Sequence, residues 1–214
     1  MPKIYFIGSK PCEGLESLIV SSIIHLSPPL SLEGIDALIL TSKNALIALD
    51  QITPEWKKIP AWVIGEACEG EVKKQGGIVA FVSSDGHGKG FFEEIKEPLR
   101  GKRVFYARAK HILSGVGEKL QKEGIEVQEA ILYENRPILL EASLKPPKGS
   151  ILIFTAPSAY DHFLMSFDWE ESYEAIAIGK TTLAAFKEGV KAHLAPRVSL
   201  EACVQKAKEL ANRA

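Results

Sequence analysis

The sequence predicts an α/β protein built on parallel sheets, and three observations carry that expectation. Short continuous apolar runs recur along the chain, helical stretches of about ten residues lie between them, and glycines stand where several of those stretches should stop. The apolar runs at 3–7, 35–40, 61–64, 78–82 and 103–107 read as buried strands, as do 127–133, 151–154, 175–178 and 192–195. A further, less defined strand is expected near 22–26. Helical periodicity marks 67–75, 116–123, 182–188 and 200–210. Lys74-Gln75-Gly76, Lys122-Glu123-Gly124 and Lys187-Glu188-Gly189 look like helix ends followed by a glycine stop.

The composition narrows the class. The chain has 214 residues, 26 Lys+Arg against 27 Asp+Glu, a formal net charge of −1, 46% hydrophobic and 25% charged residues. Disorder needs fewer apolar residues and more net charge. A neutral chain also lacks the strongly basic field of a nucleic-acid binder, so no nucleic-acid partner is expected. No apolar run approaches the roughly 18–20 residues that span a bilayer, which argues against a membrane partner. The start of the chain shows no secretory signal pattern. Three cysteines, Cys12, Cys68 and Cys203, lie far apart with no CxxC, which fits a reducing cytoplasm rather than a disulfide framework or a zinc site.

An internal repeat is the most informative feature. With a constant offset of 114 residues, Leu38-Ile39-Leu40-Thr41 falls on Leu152-Ile153-Phe154-Thr155, and Ile64-Gly65 falls on Ile178-Gly179. One strand–Thr–helix–strand–Gly–helix unit thus occurs twice. Proline-marked junctions at Ser27-Pro28-Pro29, Arg136-Pro137 and Lys145-Pro146-Pro147 divide the chain. Together they suggest a continuous domain over 31–136 and a discontinuous one built from 1–30 and 137–214. Two linker crossings would join them.

Each copy ends a strand in a polar turn that starts a helix: Thr41-Ser42-Lys43-Asn44 and Thr155-Ala156-Pro157-Ser158. Pro157 suits a first helical turn, and a Ser or Thr before it can cap free N–H groups. The second turns, Gly65-Glu66-Ala67-Cys68 and Gly179-Lys180-Thr181-Thr182, also pass from strand to helix. Open α/β sheets bind ligands outside the carboxyl ends of their strands, where helix amino ends favour carboxylates and phosphates. Facing domains would offer four such turns to one polyanion. Arg108 and Lys110 end a strand and would add positive charge at the same edge. Tyr133 leaves the continuous domain at its linker and could face the same region.

Other motifs are weak. Asp85-Gly86-His87-Gly88-Lys89-Gly90 matches neither a dinucleotide fingerprint nor a Walker loop and reads as a mobile loop. The five histidines show no metal-ligand spacing, and no nucleophile elbow or HExxH is present.

Four segments resemble the uroporphyrinogen-III synthase family: Asp36-Ala-Leu-Ile-Leu-Thr-Ser-Lys-Asn-Ala45; Val63-Ile-Gly-Glu-Ala-Cys68; Leu132-Tyr-Glu-Asn-Arg-Pro137; and Ile153-Phe-Thr-Ala-Pro-Ser-Ala159 with Ala177-Ile-Gly-Lys-Thr-Thr182. The resemblance implies two flavodoxin-like α/β domains joined by a two-strand linker. It implies a cofactor-independent and metal-independent hydro-lyase of haem biosynthesis that closes hydroxymethylbilane to uroporphyrinogen III, with loss of water and inversion of ring D through a spiro intermediate. Carried over by motif position, Thr41, Ser42, Gly65, Thr155, Ser158, Gly179, Thr181 and Thr182 would surround the acetate and propionate groups. Lys43, Glu66, Cys68 and Arg108 belong to the same turns and sheet edge. Tyr133 matches the family's linker tyrosine, proposed to assist hydroxyl departure as a general acid. A monomer that touches the upstream deaminase transiently is the expected assembly.

The chain departs from the family pattern in three places. Gly8-Ser9-Lys10 stands where an arginine is usual, Cys68 where Thr or Ser is common, and Ala156 where Ser is common. Two other readings remain open on the residues alone. One is a noncatalytic two-domain protein that closes on a small anion. The other is a nucleotide-dependent enzyme of flavodoxin or Rossmann type, which lacks its glycine fingerprint here.

Overall fold

The computed structural model describes residues 2–84, 88–112 and 115–213. The first half of the chain forms β1 (Ile4–Gly8), β2 (Glu16–Ile19), β3 (Ser21–His25), β4 (Ala37–Leu40), α1 (Lys43–Ile52), β5 (Ala61–Val63), α2 (Glu66–Lys74), β6 (Val79–Val82), α3 (Gly88–Ile95) and β7 (Arg103–Ala109). The second half forms α4 (Val116–Lys122), β8 (Glu126–Pro137), β9 (Ile151–Phe154), α5 (Pro157–Ser166), β10 (Glu174–Ala177), α6 (Lys180–Leu183), β11 (Lys191–Leu194) and α7 (Leu200–Ala211). No helix among the described residues is long and apolar enough to cross a membrane.

The chain divides into two compact units, Met1–Ser22 with Arg136–Ala214, and Ile23–Asn135. In the first unit the strands lie in the order β11-β10-β9-β1-β2, all parallel. Numbered along this unit's own chain, that is the flavodoxin-like order 2-1-3-4-5. In the second unit the order is β3-β8-β7-β4-β5-β6. Setting β3 aside, β8-β7-β4-β5-β6 has the same spatial pattern with the connectivity permuted: β4, β5 and β6 take the places of β9, β10 and β11, while β7 and β8 take those of β1 and β2. Central strands covered on both faces must be apolar throughout. Accordingly every residue of β4 and of β9 is buried.

The repeat seen in the sequence is a structural one. β4 and β9 begin 114 residues apart, as do α1 and α5 and again α2 and α6, while β5 and β10 begin 113 apart. The copies diverge at their last helix. The helix expected over 182–188 stops at Leu183: the Ala185 and Phe186 amides turn to the carbonyls of Thr182 and Leu183, three residues back, and the Lys187 N–H then points to the Tyr160 hydroxyl at 3.4 Å. Phe186 turns into the core there, against Tyr160 and Phe154. Gly189 still takes a positive φ of 86°, but it follows a turn rather than a helix.

Two further differences from the sequence reading concern the start of the chain. β2 was not anticipated, since Glu16 to Ile19 is short and half polar. It is reached from β1 by residues 9–15 without a crossover helix, where the equivalent β7–β8 connection holds α4. The strand expected near 22–26 is β3, and it joins the sheet of the second unit beside β8. The Leu26 N–H donates to the Leu132 carbonyl and the Ile138 N–H to the Val20 carbonyl, both at 2.8 Å, so these two strands run antiparallel. Both crossings between the units fall inside them, which gives the two-strand linker. Of the glycine-rich segment, Asp85, Gly86 and His87 lie outside the described residues, and Gly88 opens α3.

Each sheet carries one core per face. In the second unit, Leu38, Leu40, Ala107, Leu132 and Cys68 pack on the α1–α2 side, while Ile39, Tyr106, Phe91, Val116 and Leu120 pack on the α3–α4 side. In the first unit, Phe154, Tyr160 and Phe163 lie under α5, while Ile153, Ile176, Ala202, Cys203 and Ala207 lie under α7.

Candidate active site

In a sheet of this order the strands on either side of the reversal part at their carboxyl ends and leave a crevice. In the second unit the reversal falls between β4 and β7. Thr41 and Ser42 leave β4 at that point, and each hydroxyl is engaged. Ser42 is the N-cap of α1, in extended conformation, and its Oγ accepts the Asn44 N–H at 3.2 Å. Thr41 does not cap; its Oγ1 lies 3.0 Å from the hydroxyl of Tyr106, on β7. The same Ser42 Oγ also accepts the Tyr133 hydroxyl at 2.9 Å. Tyr106 belongs to the α3–α4 core and Tyr133 packs on the α1–α2 core, so the turn is held from both faces of the sheet.

A bulge aims Tyr133. Along β7 and β8, Arg108 pairs with Ile131 but Ala109 pairs with Tyr133, so β8 carries one extra residue at Leu132. Alternation alone would send Leu132 and Tyr133 to opposite faces. With the bulge, both pack on the α1–α2 core. The Lys110 N–H then donates to the Tyr133 carbonyl at 2.9 Å and fixes the bulged backbone.

Burial raises the Tyr133 phenol above its usual range, only partly opposed by the bond to Ser42. Burial likewise pushes the Cys68 thiol up to about 11, and Lys43 pulls weakly the other way. Lys43, Cys68, Tyr133 and Ser42 therefore interact as one local group, in which thiol and phenol are both neutral at physiological pH. The helix ends differ in what they favour. α1 has no acid in its first turn and starts with Lys43, so its positive end suits an anion. α2 begins with Glu66, and Glu69 follows in the same turn, so the protein's own carboxylates already sit there. Arg108 is engaged as well: its Nε lies 2.6 Å from Glu129 Oε2, and one terminal nitrogen donates to the Ala109 carbonyl at 3.0 Å.

In the first unit the reversal falls between β1 and β9, where Thr155 leaves the sheet. The N-cap of α5 is Ala156, with no side-chain acceptor for the amides that Ser42 serves in the other copy, and Pro157 opens the helix. Thr155 therefore does not cap, contrary to the expectation for a Thr ahead of a helix. Ser158 lies in the first turn of α5, which holds no acid. Gly179 leads into α6, where Thr181 is exposed and Thr182 buried. As a single turn, α6 has little dipole to offer. A groove of about 650 Å³ in this unit lies elsewhere, between Cys12–Glu13 and α7, where α4 has no counterpart. None of the candidate residues lines it. Among the described residues no group of three or more His, Cys, Asp or Glu is placed to hold a metal ion.

Sequence reasoning missed Tyr106. Its one signal is a tyrosine inside an otherwise apolar buried strand, since a buried phenol needs a hydrogen-bond partner.

The sequence model of the uroporphyrinogen-III synthase HemD family matches residues 19–205. The chain belongs to this family. Family members are lyases of porphyrin and haem biosynthesis, and their substrate is a tetrapyrrole. The crystal structure of uroporphyrinogen-III synthetase from Helicobacter pylori is similar over 98% of this chain and 100% of that one, with 34% identity and a TM-score of 0.84. A mutant uroporphyrinogen III synthase from Thermus thermophilus, 18% identical, shares the fold with a TM-score of 0.68 over 100% of both chains. No curated protein sequence matches the chain.

Proposed function

We propose that this family member closes hydroxymethylbilane to uroporphyrinogen III with Tyr133 as the proton donor and the turns at the ends of β4 and β9 as receptors for the substrate's carboxylates. One observation carries the reading: Tyr133, aimed by the bulge in β8, places its hydroxyl 2.9 Å from Ser42 at the amino end of α1. The proton leaves the phenol as the hydroxymethyl C–O bond breaks, and water departs. The phenol is protonated at neutral pH, and because burial makes it a weaker acid still, the transfer is driven by the charge that gathers on the leaving oxygen. The neutral Cys68 thiol beside it does not compete as a base.

The remaining task is conformational. A flexible bilane that cyclises unaided to the type I isomer must be held so that ring D is attacked at its substituted carbon. The amino ends of α1 and α5, free of first-turn acids, suit acetate and propionate groups. In this reading Thr41, Ser42, Lys43, Gly65, Thr155, Ser158, Gly179, Thr181 and Thr182 contribute to that hold. Cys68 supplies packing beside Tyr133. Arg108 acts through its pair with Glu129, and Glu66 confines carboxylates to the α1 side. The protein works as a cytoplasmic monomer that meets the upstream deaminase transiently.

The test is a coupled assay with freshly made hydroxymethylbilane, followed by oxidation and chromatographic separation of type I and type III uroporphyrin. Predominantly type III product without added cofactor supports the reading. Only type I, as in a blank without protein, overturns it.

A further inference from the structure

We propose that Tyr106 is a positioning residue, which directs the Thr41 hydroxyl toward a substrate carboxylate; the inference rests on the reading that Thr41 binds substrate. Three observations support it. Tyr106 has no exposed surface and stands on β7, the strand across the sheet reversal from β4, where Ile39 pairs with it. Its hydroxyl reaches past the end of β4 to Thr41 Oγ1 at 3.0 Å. Every other residue from Val104 to Ala107 is apolar and buried, so packing alone would be served by phenylalanine.

Either hydroxyl could donate across this 3.0 Å contact. In the proposed arrangement the phenol, the stronger hydrogen-bond donor of the two, donates to Thr41 Oγ1. The Thr41 proton must then turn away from the core toward the open carboxyl end of the sheet, where an anionic acceptor can take it. A donated bond into that oxygen also polarises the Thr41 O–H and strengthens what it gives outward. Without the phenol, the Thr41 proton is free to rotate inward. On the other face of the sheet, Tyr133 and Ser42 form the neighbouring pair, so the two pairs orient two adjacent hydroxyls of one turn.

A carboxylate-binding hydroxyl acts on the bound substrate and the transition state alike, so losing its orientation raises KM and leaves kcat nearly unchanged. The experiment measures kcat, KM and melting temperature for Tyr106→Phe, Thr41→Val, Thr41→Ser and the combinations of Tyr106→Phe with each Thr41 variant, with hydroxymethylbilane as substrate. Tyr106→Phe should raise KM about tenfold, with kcat within about twofold of the starting protein. Thr41→Val should do the same, and adding Tyr106→Phe to it should change nothing more. Thr41→Ser, which keeps the hydroxyl, should raise KM less than Thr41→Val does, and adding Tyr106→Phe to it should bring KM to the Thr41→Val value.

Equal KM losses from Tyr106→Phe with and without Thr41→Val overturn the proposal, because Tyr106 then acts independently of Thr41. An impaired Thr41→Val beside an unimpaired Tyr106→Phe overturns the positioning role and leaves Thr41 as a substrate contact. An unimpaired Thr41→Val removes Thr41 from the binding site and the proposal with it. Should Tyr106→Phe melt far below the starting protein, the Thr41→Ser comparison decides: a KM like that of Thr41→Val shows that nothing directs the hydroxyl.

Discussion

The Tyr133 hydroxyl donates to Ser42 Oγ at 2.9 Å, and the same oxygen accepts the Asn44 N–H at 3.2 Å. One serine thus caps a helix and holds the proposed acid. Removing either partner should have separable effects on stability and on turnover.

Ser42→Ala deletes the cap and leaves the Tyr133 hydroxyl without this acceptor. Loss of a serine cap costs about 1 kcal/mol. For a chain of this size that lowers the melting temperature by roughly 2–4 °C. Ser42→Gly, which exposes the amides to water, should recover most of the stability and none of the tyrosine's orientation. Calorimetry of the three proteins checks the first effect and the type III rate checks the second.

Tyr133→Phe keeps the ring on the α1–α2 core and removes only the proton. A lost general acid lowers kcat by about 100-fold or more. The melting temperature should move by no more than a few degrees, since one hydrogen bond contributes about 1 kcal/mol net. Near-normal turnover and isomer purity in Tyr133→Phe would show that Tyr133 has no essential proton-transfer role.

Burial raises the Cys68 thiol from 9.0 to about 11. Because the folded value is the higher one, this stability is present below pH 9 and is lost as pH rises from 9 toward 11. Between pH 8 and pH 10 the starting protein should therefore lose about 1 kcal/mol more than Cys68→Ala does. Urea unfolding at both pH values measures the difference. Thiol counting gives a companion result: among the three cysteines only Cys12 has appreciable surface, so a disulfide reagent should label one thiol in the native protein and three in denaturant.

Gly117 permits a close approach between α4 and β8. A Cβ there would stand 1.7 Å from Glu129 Oε1 and 3.1 Å from the Tyr106 ring. Gly117→Ala shifts the Glu129 carboxylate, the flexible far end of its side chain, away from its pairing with Arg108. The weakened pair and the better helix propensity of alanine oppose each other, so stability should change by less than about 1 kcal/mol. Equilibrium denaturation measures it. If the Arg108–Glu129 pair matters for turnover, Arg108→Gln and Gly117→Ala should lower the type III rate by similar factors.

Most of this architecture was legible because its signals are local. Continuous apolar runs announce strands buried on both faces, and the 114-residue repeat aligned β4 with β9 and α1 with α5. What stayed hidden depends on distant partners. The bulge at Leu132 is a matter of register with β7 and leaves no trace in the order of residues. Tyr106 reads as one more core position until its hydroxyl meets Thr41, which lies 65 positions away in the chain. α6 begins where the repeat places it and ends early as the next amides tighten to carbonyls three residues back. β2 lacked the crossover helix by which parallel strands are usually recognised. The residues proposed to bind carboxylates were visible as turns and Tyr133 by its place at the linker, while the family resemblance alone gave Tyr133 the role of an acid.

The permuted connectivity of the two units has a consequence for folding. The strand pairings of the second unit lie within Ile23–Asn135 apart from the outer ends of β3 and β8, whereas β1 must pair with β9, Ile4 beside Ile151. In a growing chain β1 can meet β2 at once, but its other neighbour, β9, is made much later. The intervening segment does not remain a slack loop. Once Ile23–Asn135 has folded, β3 and β8 hold the two ends of that segment side by side, with Leu26 bonded to Leu132. The loop-closure entropy between β1 and β9 is then already spent, leaving only short tethers to order. The second unit is in this sense a template for assembling the first, and substitutions that slow its folding will delay both.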